Sequence, residues 1–129
     1  KMHSLLPDQG SMIQNIRAGV RRVQEFLPEG VHIAVVSSDI PAIKPEHVNW
    51  VVRAAMQTDE DIYYNVVKQE VMEKRFPGSN RSYVHLKDMD VCGGDLNVIR
   101  AALVTGSDAL WDRIIASRKT ALRPVSPMV

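Results

Sequence analysis

The sequence has few cysteines and aromatic residues, little net charge and no long apolar run. Its single cysteine, Cys92, excludes an internal disulfide and is typical of a reducing compartment. Aromatic residues make up only 5% of the chain, and a formal net charge of +1 argues against a nucleic-acid or membrane surface. No apolar run has the length of a membrane span, and no secretory signal pattern opens the chain. We therefore expect a cytoplasmic protein that binds neither nucleic acid nor membrane.

The chain does contain alternating helical and strand patterns within an ordinary globular composition. Hydrophobic residues make up 45% and charged residues 24% of the 129 positions, as in one domain or part of one. Periodicity and turn residues predict these elements: a helix capped at Ser11, a strand over 31–36, a helix from Pro45, strands over 62–67, 81–87 and 96–99, and a helix from Ser107-Asp108. This order predicts an α/β fold in which helices flank a mixed sheet.

An aspartate just after the first predicted strand is the most informative position. The apolar run over 31–36 is followed by two serines and then by Asp39-Ile40-Pro41. Ligands of open parallel sheets bind at the carboxyl ends of the strands. A carboxylate there suits a hard cation and the phosphates it carries, and the proline fixes the direction of the chain. A solvated aspartate in a strand-ending turn explains the pattern equally well when it is taken alone.

The start of the first predicted helix is a second candidate position. Its sequence is Asp8-Gln9-Gly10-Ser11. Free amides at a helix N-terminus, next to a glycine that allows close approach, can receive an anion or the edge of a base. A simple helix cap is the more common use of such residues.

Arg81 is a third candidate. Pro77-Gly78 forces a turn shortly before it, so the arginine begins the predicted strand over 81–87. Its guanidinium could pair bidentately with a phosphate or a carboxylate. A surface arginine at a strand end is an equally good interpretation.

The fourth candidate is the segment Cys92-Gly93-Gly94-Asp95. Paired glycines let the backbone pass close to a ligand, while the aspartate beside them reaches a metal. Ordinary turns use the same residues, so the pattern is weak by itself. We interpret Cys92 as a small buried thiol, because no partner residues of a cysteine nucleophile are evident.

The order of these segments resembles that of a known family. Residues 8–11, 35–41, 73–83 and 92–95 follow one another as in the MobA-like nucleotidyltransferase domain. The resemblance covers nearly the whole chain, and the strand-end Asp-x-Pro is its most specific element. It implies a Rossmann-like (GT-A-like) fold, with a mixed sheet flanked by helices.

The resemblance also implies a reaction and its residues. Family members transfer a nucleotidyl group from an NTP to a small phosphorylated or hydroxylated acceptor, with Mg²⁺, and release pyrophosphate. The implied roles are metal binding for Asp39 and Asp95, nucleotide binding for Gly10, Ser11 and Ser38, and acceptor binding for Arg81, Gly93 and Gly94.

Two departures from the family pattern modify these expectations. Family members usually open with a strand and a glycine-rich, basic loop that wraps the triphosphate, and residues 1–129 contain no such loop. We therefore expect a partial domain, truncated at its N-terminus and inactive alone, because the loop supplies charge stabilisation. The second departure is Asp95, since the family often has asparagine after the paired glycines.

Two alternative functions remain open at the level of sequence. The chain could be a non-catalytic module of the same fold that binds a nucleotide or sugar phosphate. It could also be an oligomerisation domain. An unprotected sheet edge promotes association, so we expect a homodimer formed through such an edge.

Overall fold

The computed structural model describes residues 3–28, 30–106 and 108–121. Within these ranges it has five helices and six strands. The chain divides into two compact units, one formed by Lys1–Val31 with Ala101–Val129 and the other by His32–Arg100. Across the described ranges, every helix is too short or too polar to cross a membrane.

The first unit is helical. Helix α1 (Met12–Gln24) begins after Ser11, whose hydroxyl accepts a hydrogen bond from the Gln14 amide at 3.3 Å. This is the N-cap that the sequence predicted, and it satisfies one of the amides left unpaired at a helix start. The stripe of apolar residues on α1 places Val20 in the interior, where it is almost completely buried.

Two C-terminal helices complete this unit. Helix α4 (Ala101–Gly106) packs against α1, and it contributes the fully buried Ala101 and Val104. Helix α5 (Asp108–Ala121) follows, with an ion pair from Asp108 to Arg17 of α1. Ser107, where the sequence predicted that the last helix starts, lies outside the described residues.

The second unit contains a three-stranded sheet covered by a helix. Strands β1 (His32–Val36), β6 (Leu96–Arg100) and β2 (Ile62–Tyr63) lie in the order β1-β6-β2, and both pairings are antiparallel. Helix α2 (Pro45–Ala55) packs on β6. The core between helix and sheet contains the buried residues Val51, Ala55, Leu96 and Val98.

A second three-stranded sheet belongs to the same unit. Strands β3 (Val66–Lys68), β5 (Asp90–Gly93) and β4 (Val84–His85) lie in the order β3-β5-β4, again with antiparallel pairings. The short helix α3 (Gln69–Arg75) lies against β3 and β5. The central strand β5 is the best buried, because Val91 and Cys92 are nearly inaccessible to solvent.

The mixture of helices and strands confirms the predicted α/β class, but the sheet differs from the expectation. The sequence predicted one mixed sheet, and the described residues form two antiparallel ones. The strand predicted over 62–67 is divided between them, as β2 and β3. Asn65 causes the division: its amide bonds the side chain of Asn97 at 2.8 Å, and its own side chain bonds the Leu96 carbonyl at 2.9 Å. These bonds direct the chain from one sheet to the other.

Several short elements were not predicted or were predicted too long. The sequence did not predict β5, α3 or α4, which have four, seven and six residues. Such lengths show too few periods of an apolar pattern to be recognised. The strand predicted over 81–87 is reduced to β4. It ends after His85 because the Leu86 amide donates to the Met89 carbonyl at 2.9 Å and closes a turn.

Candidate functional site

The second unit brings together several of the residues that the sequence singled out. Asp39 is exposed and lies three residues beyond the end of β1. Its carboxylate accepts a hydrogen bond from the hydroxyl of Ser37. The turn after β1 therefore presents an oriented carboxylate to solvent.

The antiparallel neighbour of β1 supplies the second half of this region. Because β6 runs opposite to β1, the carboxyl end of β1 lies beside the turn that enters β6. The Ser37 amide donates to the Asp95 carbonyl at 2.9 Å, which extends the ladder beyond Val36 and Leu96. The expectation that Asp39 lies at the carboxyl edge of a parallel sheet is wrong for β1 and β6. Their antiparallel pairing is what places Asp39 and Asp95 on adjacent turns.

Arg81 connects the same turn to the segment before β4. Its Nη2 donates to the Gly93 carbonyl at 3.1 Å and to Oδ2 of Asp95 at 3.2 Å. Both charged side chains keep more than a third of their surface exposed, so the pair contributes little to stability. We call Ser37, Asp39, Arg81, Gly93, Gly94 and Asp95 the strand-end site.

Local contacts set the ionisation of this site. The hydrogen bond from Ser37 is the largest cause that lowers the pKa of Asp39, and the charge of Arg81 lowers it further. The pKa of Arg81 is raised, first by a hydrogen bond to Cys92 and then by Asp95. At neutral pH the site therefore holds an ionised Asp39 and a firmly protonated Arg81.

Two asparagines that sequence reasoning missed hold the glycine turn. The Gly94 amide donates to the Asn65 carbonyl at 2.8 Å, and the Asn97 side chain donates to the Gly94 carbonyl at 3.3 Å. Asn65 and Asn97 also bond one another at 2.8 Å. No local motif marks Asn65, because its partners lie in β6 and in the turn before it, far along the chain, whereas Asn97 bonds Gly94 only three residues before it. Ser37 was also missed, although a serine two residues before an acid is a local signal for a side-chain bond.

The paired glycines have different reasons to be small. A methyl group on Gly94 would lie 3.0 Å from Cβ and 3.1 Å from the carbonyl oxygen of Asn65. On Gly93 it would lie 2.7 Å from the hydroxyl of Tyr64, which is an exposed and movable side chain. Gly94 is therefore required by backbone packing, whereas a side chain at Gly93 would only have to displace the movable Tyr64 hydroxyl.

The three predicted nucleotide-binding residues lie in different surroundings. Ser38 is exposed at the bend beside Asp39. Gly10 and Ser11 belong to the first unit, where Gly10 has a positive φ of 86° and its amide donates to Asp8 at 3.1 Å. The Gly10 amide, just before α1, is thus already hydrogen-bonded to the Asp8 carboxylate. The role of Gly10 and Ser11 in nucleotide binding stays a prediction.

The acidic residues of the strand-end site were also predicted to bind a metal. Across residues 3–28, 30–106 and 108–121, no three histidine, cysteine or acidic side chains are grouped closely enough to hold an ion. The site offers two carboxylates, Asp39 and Asp95, and one of the Asp95 oxygens is paired with Arg81. Mg²⁺ commonly binds through one or two carboxylates and completes its shell with water and substrate phosphates. The donor set fits that kind of binding and does not form an all-protein cage.

Comparison with known proteins places the fold in a broad class. No family model matches the chain, and no curated protein matches it. It is similar to the solved structure of a hypothetical transferase from Thermus thermophilus, with 30% sequence identity and a TM-score of 0.74. The match covers 91% of this chain and 47% of the other, so the chain spans about half the length of that protein. This likeness shows a transferase-like fold.

Proposed function

We propose that this chain is part of a nucleotidyltransferase of the MobA-like family with a Rossmann-like fold. The parent enzyme transfers a nucleotidyl group from an NTP to a small phosphorylated or hydroxylated acceptor and releases pyrophosphate. The observation that carries the proposal is the strand-end site, where Asp39 lies on the turn beside Asp95 and its partner Arg81. The similarity to a hypothetical transferase supports the broader class of reaction.

Asp39 is the residue best suited to a metal–nucleotide complex. Its carboxylate is exposed, it is bonded by Ser37, and its pKa is lowered, so it is charged at neutral pH. We assign Mg²⁺ to Asp39, with Asp95 as the second carboxylate. When bound, Mg²⁺ neutralises phosphate charge and orients the α-phosphorus for in-line attack.

The strand-end site also offers a positive charge that is suited to the acceptor. Arg81 holds a positive charge beside the two carboxylates, at a position fixed by its bonds to Gly93 and Asp95. This charge can receive a phosphate or orient a hydroxyl group. Gly93 adds no side chain to this surface. The hydrogen bonds from the Gly94 amide to Asn65 and from the Asn97 side chain to the Gly94 carbonyl hold the backbone in place. The chain's own contribution is thus to bind and orient the reactants, which is most of what nucleotidyl transfer needs.

Calorimetric titration of Mg²⁺ with GTP, CTP or UTP tests the assignment of Asp39. We expect Asp39→Asn, which removes the charge and keeps the shape, to weaken binding of the preferred nucleotide by roughly tenfold or more, or about 1.4 kcal/mol. Asp88→Asn is the matched control, because Asp88 is an exposed acid in the loop between β4 and β5. Equal affinity in the wild type and Asp39→Asn would contradict the proposal.

An assay of pyrophosphate release separates the enzyme from a binding module. The chain as it stands is predicted to bind the metal–nucleotide without turnover, because the glycine-rich basic loop of the family has no counterpart in residues 1–129. Pyrophosphate release by a longer protein that includes such a loop, and its loss in Asp39→Asn, would support the nucleotidyltransferase. Binding with no release in that longer protein would favour the non-catalytic module.

A further inference from the structure

Ser37 makes two bonds that join the two halves of the strand-end site. Its backbone amide donates to the Asp95 carbonyl at 2.9 Å, so the residue is positioned by the turn that enters β6. Its hydroxyl donates to the Asp39 carboxylate. One residue therefore connects the Asp39 turn to the Asp95 turn, through its main chain on one side and its side chain on the other.

The hydroxyl bond matters because Asp39 is otherwise surrounded by solvent. An exposed aspartate samples several rotamers, and ordering it when a ligand binds costs free energy. A bond from a residue whose own backbone is fixed restricts those rotamers in advance. In metal sites, such partners of the ligating side chain orient it and strengthen binding.

We propose that Ser37 is a positioning residue that holds the Asp39 carboxylate in its ligand-binding orientation relative to Asp95. Ser37 does not touch the ligand and acts through Asp39. The proposal rests on the proposed function, since it takes Asp39 to be a ligand of the metal–nucleotide complex.

Binding of Mn²⁺ alone, followed by electron paramagnetic resonance, tests the proposal without any turnover. Three variants are compared with the wild type: Ser37→Ala, Ser37→Thr and Ser82→Ala. Ser37→Ala removes the hydroxyl but keeps the amide bond to Asp95, so we expect Mn²⁺ affinity to fall by about 10- to 100-fold with little change in melting temperature. Ser37→Thr restores the hydroxyl and the affinity. Ser82→Ala, an exposed serine that is not part of the strand-end site, leaves the affinity unchanged.

Asp39→Asn in the same titration separates the two possible failures. If Asp39→Asn loses affinity and Ser37→Ala does not, the positioning role of Ser37 is overturned while the proposed metal ligand stands. If neither variant changes the affinity, both proposals fail. A loss in Ser37→Ala that Ser37→Thr does not restore, or that follows a lower melting temperature, shows a general structural role instead and also overturns the inference.

Discussion

Gly94 shows how strictly a single residue can be constrained in the strand-end site. The atoms that a methyl group would approach belong to Asn65, at 3.0 and 3.1 Å. Asn65 cannot move aside easily, because its amide, carbonyl and side chain are all hydrogen-bonded. The close approach of two backbone segments therefore requires glycine at this position.

Substitution of Gly94 by alanine should accordingly destabilise the protein. We expect the free energy of unfolding to fall by about 1–3 kcal/mol, as for overpacking in a filled interior, when it is measured by urea denaturation. Gly19→Ala is the matched control, since Gly19 lies inside α1 with open space around it. That change should stabilise the protein by about 0.5–1 kcal/mol. A Gly94→Ala variant as stable as the wild type would show that Asn65 can move away from the added methyl group without cost.

At the scale of elements, a partly buried hydrogen bond connects α3 to the segment that precedes β4. The Tyr83 hydroxyl donates to Oε1 of Glu73 at 2.7 Å. This bond is the largest cause that raises the pKa of Tyr83 from 10.0 to about 12. Since the folded state holds the phenolic proton more tightly, the stabilisation is complete below pH 10 and is lost as the pH rises towards 12.

An alkaline titration followed by tyrosinate absorbance tests this connection. The wild type should show one component with a midpoint near pH 12, at the raised pKa of Tyr83. Tyr83→Phe should lack that component, and Glu73→Gln should move its midpoint to lower pH because the carboxylate is gone. Tyr64→Phe serves as the control and should retain it. A late component that survives in Tyr83→Phe would contradict the assignment.

At the scale of the whole molecule, the feature that bears on assembly is an unpaired strand edge. Among the described residues, β1 is an edge strand of the first sheet, whose strand order is β1-β6-β2. Strand edges present unpaired backbone groups that favour association. We therefore expect the chain to dimerise through β1, and sedimentation velocity should show a concentration-dependent dimer.

A charged substitution on this strand tests the route of association. Ala34 is exposed on β1, so Ala34→Lys should shift the population to monomer without unfolding the sheet. Ala54→Lys, on an exposed position of α2, is the control and should leave the dimer unchanged. A dimer that persists in Ala34→Lys with wild-type strength would exclude β1 as the interface.

Local signals in the sequence predicted part of this structure well. Ser11 was expected to cap α1 and does so, because a cap depends on amides only three residues away. The strand-ending Asp39 was recognised for the same reason, since Pro41 and the apolar run before it are contiguous. The division of the predicted strand at Asn65 was not recognisable, because its cause is a pair of bonds to residues 96 and 97.

The sequence by itself determined the α/β class, the positions of the longer helices and strands, and the choice of Asp39, Arg81, Gly93, Gly94 and Asp95 as residues to consider. These follow from periodicity and turn chemistry, which act over a few residues. Only the tertiary structure decided that β1 pairs antiparallel with β6, that Arg81 bonds Asp95, and that Ser37 joins the two turns. Such pairings depend on residues distant in the chain, whose burial and hydrogen bonding are satisfied only once the sheet has formed.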